Sequence, residues 1–168
     1  TNHLFDLGHR KIAHIGGPLR FNFSMQRADG WQSAMLKLKV PNPNGYHQIS
    51  DLSFKGGKEA MHALLALENP PTAVCCVSDV TAIGAMQALR ENNIVPGGDV
   101  SIIGYDGLEI GKYVEPPLST MTQPRKVAGE KIAKSIMGLI ETGNEPKEIQ
   151  ELLSATILRR GTDNPPNR

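Results

Sequence analysis

The chain has 168 residues, enough for one domain with a core or for two small lobes. With 18 basic and 17 acidic residues its net charge is +1, so it carries no electrostatic footprint for nucleic acid or for an anionic membrane surface. Hydrophobic residues make up 39%, yet no apolar run approaches the roughly 20 residues of a membrane-spanning helix, and no secretory leader is visible at the start.

In chain order, Leu4 and Leu7 stand at helical spacing and Gly8 is placed to stop a helix. A helix of seven residues is short, and there is no initiator Met. The reading is therefore a helix cut at its start, in the C-terminal part of a longer protein. Residues 11–15 form a short apolar strand ending in Gly16-Gly17-Pro18. A helix follows over 24–38, then a Pro/Asn/Gly loop over 41–45, a weakly patterned strand over 46–52 and an amphipathic helix over 57–67.

Residues 71–107 then read as a nearly complete β-α-β unit. It has a strand at 72–77, a helix at 79–91 with Ala82, Ile83, Met86 and Leu89 inward, and a strand at 100–105. Each strand stops at an aspartate, Asp79 and Asp106. Ligands of open α/β sheets bind beyond the carboxyl ends of parallel strands, so these positions face a crevice. Residues 106–124 read as irregular. A helix over 125–141 is expected to bury Val127, Ala128, Ile132, Ile136 and Ile140. A short strand over 155–158 follows, and a Pro/Asn/Asp-rich tail from Gly161 reads as disordered. The alternation predicts an α/β fold, a parallel sheet flanked by helices on both faces.

Cys75 and Cys76 are neighbours in a strand, so alternation sends them to opposite faces. Without a disulfide framework or CxxC, a reducing, cytoplasmic setting fits. His3, His9, His14, His47 and His62 show no metal-ligand spacing, and most read as surface or helix-end groups. No GxSxG, P-loop or GxGxxG is present, and no cofactor is implied. A binding domain is favoured over an enzyme.

Several motifs then align in order. Gly8-His9-Arg10-Lys11-Ile12-Ala13 with Ile15-Gly16-Gly17-Pro18 resembles the GHRxIAxIxG element of the lactose-repressor (LacI/GalR) family of bacterial regulators. Arg27 with Gly30-Trp31, Ser78-Asp79 with Gly84-Ala85, and Val95-Pro96 through Asp99–Asp106 are similar to further family elements, as are Pro117–Thr120, Gln123-Pro124 and Leu158–Thr162. The resemblance spans residues 3–162. It implies a two-lobed effector domain like a type I periplasmic sugar-binding protein, behind an N-terminal DNA-binding head absent from this chain. On that reading, 1–118 form the C-terminal lobe, 119–148 cross over to and include a helix of the N-terminal lobe, 149–161 hold the final strand and 162–168 a disordered tail.

The resemblance also implies a site. Asp106 would accept hydrogen bonds from hydroxyls of a sugar-like effector, a role suited to an acceptor-only carboxylate; the alternative is a turn aspartate before Gly107. Arg27 would hold hydroxyl pairs or a carboxylate with its planar fork; the alternative is a solvated helix arginine. Ser78 falls where many relatives carry a longer asparagine. Phe23, with Leu19 and Phe21, would wall the cleft, or else pack in the core or a loop. Asp79 reads mainly as a helix cap. Trp31 reads as core, and Lys58 as an exposed lysine. The implied partners are a small effector, a second copy pairing through helices over 57–67 and 79–91 with 109–115, and operator DNA only through the absent head, with no membrane. A periplasmic sugar-binding protein of a transporter is the alternative.

Overall fold

The computed structural model describes residues 1–40, 45–143 and 151–167. The elements in order are α1 (Asn2–Asp6), β1 (Ile12–Gly16), α2 (Asn22–Lys37), β2 (His47–Ile49), α3 (Phe54–Leu65), β3 (Ala73–Cys76), α4 (Asp79–Glu91), β4 (Ser101–Tyr105), a 3-10 turn (Glu109–Lys112), β5 (Ser119–Thr122), α5 (Arg125–Thr142) and β6 (Thr156–Leu158). They build one six-stranded sheet in the order β2-β1-β3-β4-β5-β6, parallel except where β5 meets β6. The chain reverses direction across the sheet between β1 and β3. A crevice therefore opens there, where the loops after the two strands part.

The core explains the alternation of elements. All five β1 residues are buried, and Ile12, Ile15, Val74, Ile102, Met61, Leu64, Met86 and Leu89 are fully enclosed. Each such aliphatic side chain contributes roughly 1.5–3 kcal/mol relative to exposure. Trp31 of α2 belongs to this core, its Nε1 donating to the Ile12 carbonyl at 3.2 Å. Helices α3 and α4 cross closely because Gly57 and Gly84 face each other's helix. A Cβ on Gly84 would stand 2.0 Å from the Phe54 carbonyl oxygen, and one on Gly57 2.2 Å from that of Thr81.

Four expectations are corrected. The strand read over 46–52 covers only His47–Ile49: Tyr46 turns into the core, and Leu52 adopts a φ of 70° that no strand residue holds. The segment read as irregular contains β5, a polar strand whose Ser119 and Thr120 are fully buried because their hydroxyls are bonded. Residues 161–167 of the tail are ordered. Thr162 exchanges bonds with both backbone groups of Ile102 at 2.7 Å, and its hydroxyl also accepts from the Ser119 amide at 2.9 Å. Asp163, 2% exposed, accepts from Ser119, Arg159 and His3. Polar composition there satisfies backbone and buried hydroxyl groups instead of solvating a loose end.

The expected burial of the 125–141 helix is not seen either. No residue of α5 is buried, and Ile132, Ile136 and Ile140 are 61%, 53% and 77% exposed, because no described element packs over them. The histidines are not all peripheral. His9 and His14 are buried, each donating a ring N–H to a backbone carbonyl, which only partly opposes the lowering of its pKa by burial. Burial pushes the pKa of His14 down to about 4, and those of His9 and His47 below their ordinary value. Residues 41–44 of the predicted loop, 144–148 of the predicted crossover region, 149–150 of the segment read as holding the final strand and 168 of the tail lie outside the described residues.

Candidate functional site

The crevice is bordered by three strand ends. Strand β1 runs into Gly16-Gly17 and then α2, β3 into Val77-Ser78 and then α4, and β4 into Tyr105-Asp106. Helix α2 brings Arg27 across the gap. Its Nη1 donates to the Val77 carbonyl at 2.5 Å, its guanidinium carbon lies 3.7 Å from the centre of the Tyr105 ring, and its Nη2 stands 3.9 Å from Asp106 Oδ1. Stacking, a backbone bond and an ion pair together hold the fork in one orientation. The sequence reading assigns Arg27 and Asp106 separately to the crevice, and the fold places them together.

Asp106 is half-buried and has a φ of 119°, a conformation that costs a non-glycine residue about 1–3 kcal/mol. Its amide donates to the Met121 carbonyl at 2.9 Å, and its own carbonyl accepts from Arg125 at the start of α5. Burial raises the pKa of its carboxyl, against the opposing pull of Arg27 and Arg125. Gly107 follows with φ 70°, so two successive residues bend backwards and set the carboxylate at the crevice edge.

Phe23 is 41% exposed at the start of α2 and stacks on Phe21, ring centres 5.6 Å apart and nearly parallel. The Arg27 guanidinium lies 5.2 Å from the Phe23 ring centre, so Phe23 borders the same charged group. Ser78 is the residue whose role moves most. Its side chain, and not that of Asp79, caps α4, accepting from the Thr81 amide at 3.2 Å and pairing with the Thr81 hydroxyl at 2.9 Å. Asp79 turns inward instead. It is fully buried, accepting from the Thr120 hydroxyl at 2.5 Å and the Leu108 amide at 2.6 Å, and burial raises its pKa.

Tyr105 and Arg125 went unnoticed in the sequence. Tyr105 directly precedes Asp106 in the strand motif and could be found there; Arg125 reads only as the first residue of a helix. Lys58 lies away from the crevice, paired with Glu91 at 2.7 Å. Behind Arg27 and Tyr105 a cavity of about 440 Å³ runs along the sheet past His14, Trp31, Cys75 and Met121. Asp106, Ser78 and Phe23 do not line it. Among the described residues no group of three His, Cys, Asp or Glu side chains converges on a metal-sized site, and no helix is long and apolar enough to cross a membrane.

Comparison with known proteins agrees with this architecture. The family model described as a periplasmic binding protein-like domain matches residues 1–162. The ribose operon repressor of Haemophilus influenzae is 36% identical over 160 residues, 95% of this chain and 48% of that protein. A LacI-family regulatory protein from Chloroflexus aggregans superimposes with a TM-score of 0.89 at 34% identity, over 96% of this chain and 58% of that one. A dimeric Lac repressor gives a TM-score of 0.89 at 29% identity, over 99% and 60%. The chain spans about half the length of the curated relatives it matches. Those relatives are transcriptional repressors. The chain belongs to the periplasmic binding protein-like domain family, and within it to the effector-binding regions of LacI/GalR-type regulators.

Proposed function

We propose that this chain is the larger part of the effector-binding and dimerisation region of a bacterial LacI-type repressor that works in the cytoplasm, and that its effector is a sugar-like small molecule. The observation that carries the reading is the convergence of Arg27 and Asp106 over Tyr105 at the carboxyl ends of β3 and β4, beside the β1/β3 switch point. One carboxylate that only accepts and one fork that only donates suit a ligand whose hydroxyls do both. The exposed Phe21–Phe23 stack offers an apolar wall for the face of a sugar ring, and Ser78, engaged as a cap, contributes at most through its remaining lone pair or a bridging water.

On this reading α5, with its exposed Ile132, Ile136 and Ile140, belongs to a second lobe that closes the other half of the crevice. The effector then acts by binding one lobe arrangement better than another, shifting the population that holds operator DNA through a separate head. The paired helices α3 and α4, with Phe54, Ile110 and Tyr113 exposed beside them, form the face where two copies meet. The transporter-protein reading shares the fold, but the repressor names of the relatives weigh against it.

The test is a thermal-shift screen of pentoses, hexoses and nucleosides on the full-length protein. A binder present at 100 times its Kd adds about 2.7 kcal/mol of stability. A concentration-dependent rise in Tm with one sugar, together with release of operator DNA by that sugar, is expected. No stabilisation by any of them removes the sugar assignment.

A further inference from the structure

Asp79 is a buried acid that the helix cap does not need, because Ser78 already serves the α4 N-terminus. Its two oxygens reach two different elements: Oδ2 accepts from the Leu108 amide, two residues past Asp106, and Oδ1 accepts from the Thr120 hydroxyl on β5. The same Thr120 oxygen accepts from the Gly107 amide at 3.3 Å. The turn after Asp106 is therefore held by consecutive amides, Gly107 and Leu108, both tied directly or through Thr120 to one carboxylate. Gly104 makes the arrangement possible: a Cβ there would lie 2.2 Å from Asp79 Oδ1.

We propose that Asp79, acting with Thr120, is the positioning residue that locks the left-handed backbone at Asp106 and so aims its carboxylate at the effector. This rests on the effector site described above. A non-glycine residue at φ 119° persists only where its surroundings over-determine it. Here the Met121 carbonyl and Arg125 grip Asp106 itself, while Asp79 and Thr120 grip the two residues that follow. Asp79 lies beneath the turn and is fully enclosed, so it reaches the ligand only through Asp106.

Substitution chemistry separates aiming from mere support. In Asp79→Asn the amide oxygen can still accept from Leu108 and the amide nitrogen can donate to Thr120, whose hydroxyl then turns to the Met121 carbonyl, already 3.3 Å away. Asp79→Ala and Thr120→Val break the network from its two ends.

Two readouts are taken on the full-length protein: the HN–Hα three-bond coupling of Asp106, which reports φ, and the affinity for D-ribose. Asp79→Ala and Thr120→Val are expected to shift the coupling and weaken D-ribose binding about tenfold, with Asp79→Asn within about threefold of the parent, as for lost versus replaced buried hydrogen bonds. If Asp79→Ala does not fold, Thr120→Val and Asp79→Asn carry the same comparison. An unchanged coupling in the broken variants, or an Asp79→Asn as defective as Asp79→Ala, overturns the proposal. Absence of D-ribose binding by the parent counts against D-ribose as the effector alone, and the coupling still decides the positioning role.

Discussion

Gly84→Ala and Gly30→Ala are the same chemical change at two helix positions, and the structure assigns them opposite signs. At Gly84 the added methyl would stand 2.0 Å from the Phe54 carbonyl oxygen and 2.8 Å from its carbon. Non-bonded contact begins near 3.5 Å, so α3 must retreat by roughly 1–1.5 Å. The obstacle is backbone, with no side chain free to swing aside, and retreat loosens Ala60, Met61 and Leu64 against Ala85, Ala88 and Leu89. Overpacking of this kind sits at the upper end of the usual range, about 3 kcal/mol, and alanine's helix preference offsets about 1. The net expectation is a loss of about 2 kcal/mol. At Gly30, inside α2, nothing lies within 4 Å of the new methyl, and the same preference stabilises by about 0.5–1 kcal/mol. Urea unfolding reads both: with an m-value of roughly 2 kcal/mol/M, the midpoint falls by about 1 M in one variant and rises by about 0.3–0.5 M in the other. A neutral or stabilised Gly84→Ala would refute the claim that the α3–α4 crossing is set by glycine contact.

Two further outcomes follow from buried polar groups. Burial holds His14 at about pKa 4, below its ordinary 6.5, so an unfolded chain takes up a proton that the fold refuses. Stability is complete above pH 6.5 and falls by about 3 kcal/mol as pH drops toward 4, with His47 adding to the same trend. Urea midpoints across that window should show the slope, reduced in His14→Asn, and a flat profile would contradict it. Asp163→Ala leaves the buried Ser119 hydroxyl without its carboxylate partner and frees Arg159 and His3, a loss of about 2–4 kcal/mol. Hydrogen exchange at the Ile102 amide, bonded to Thr162, should accelerate more than at Val74; equal protection in both would argue against a structural tail.

Legibility in the sequence followed the physical signal. Apolar runs such as 73–76 and 101–105 and the periodic helix 79–91 were readable because burial on a sheet or helix face imposes a pattern. Strand β5 was not, because Ser119 and Thr120 are buried by means of hydroxyl bonds to residues 40 or more positions away. The ordered tail was missed for the same reason. For the site, the strand-end rule and family motifs point to Asp106 and Arg27, and the aromatic run after the first strand points to Phe23; the three lie along one edge. The cap read for Asp79 belongs to Ser78, since either residue type can cap a helix and only the burial of Asp79 beneath the Asp106 turn decides between them. The helix of 125–141 shows the converse: its apolar spacing was real, but the surface that would cover it is not among the described residues.

Arg27 and Asp106 are expected to act as one ligand clamp. Isothermal titration of the sugar that gives the largest thermal shift should be run on the full-length protein and on Arg27→Ala, Asp106→Ala and the double variant. Each single variant is predicted to weaken binding at least about tenfold, with the double variant less than additive because the two groups hold one ligand and each other. Affinity unchanged in both single variants, with folding intact, would place the effector elsewhere and contradict the central claim.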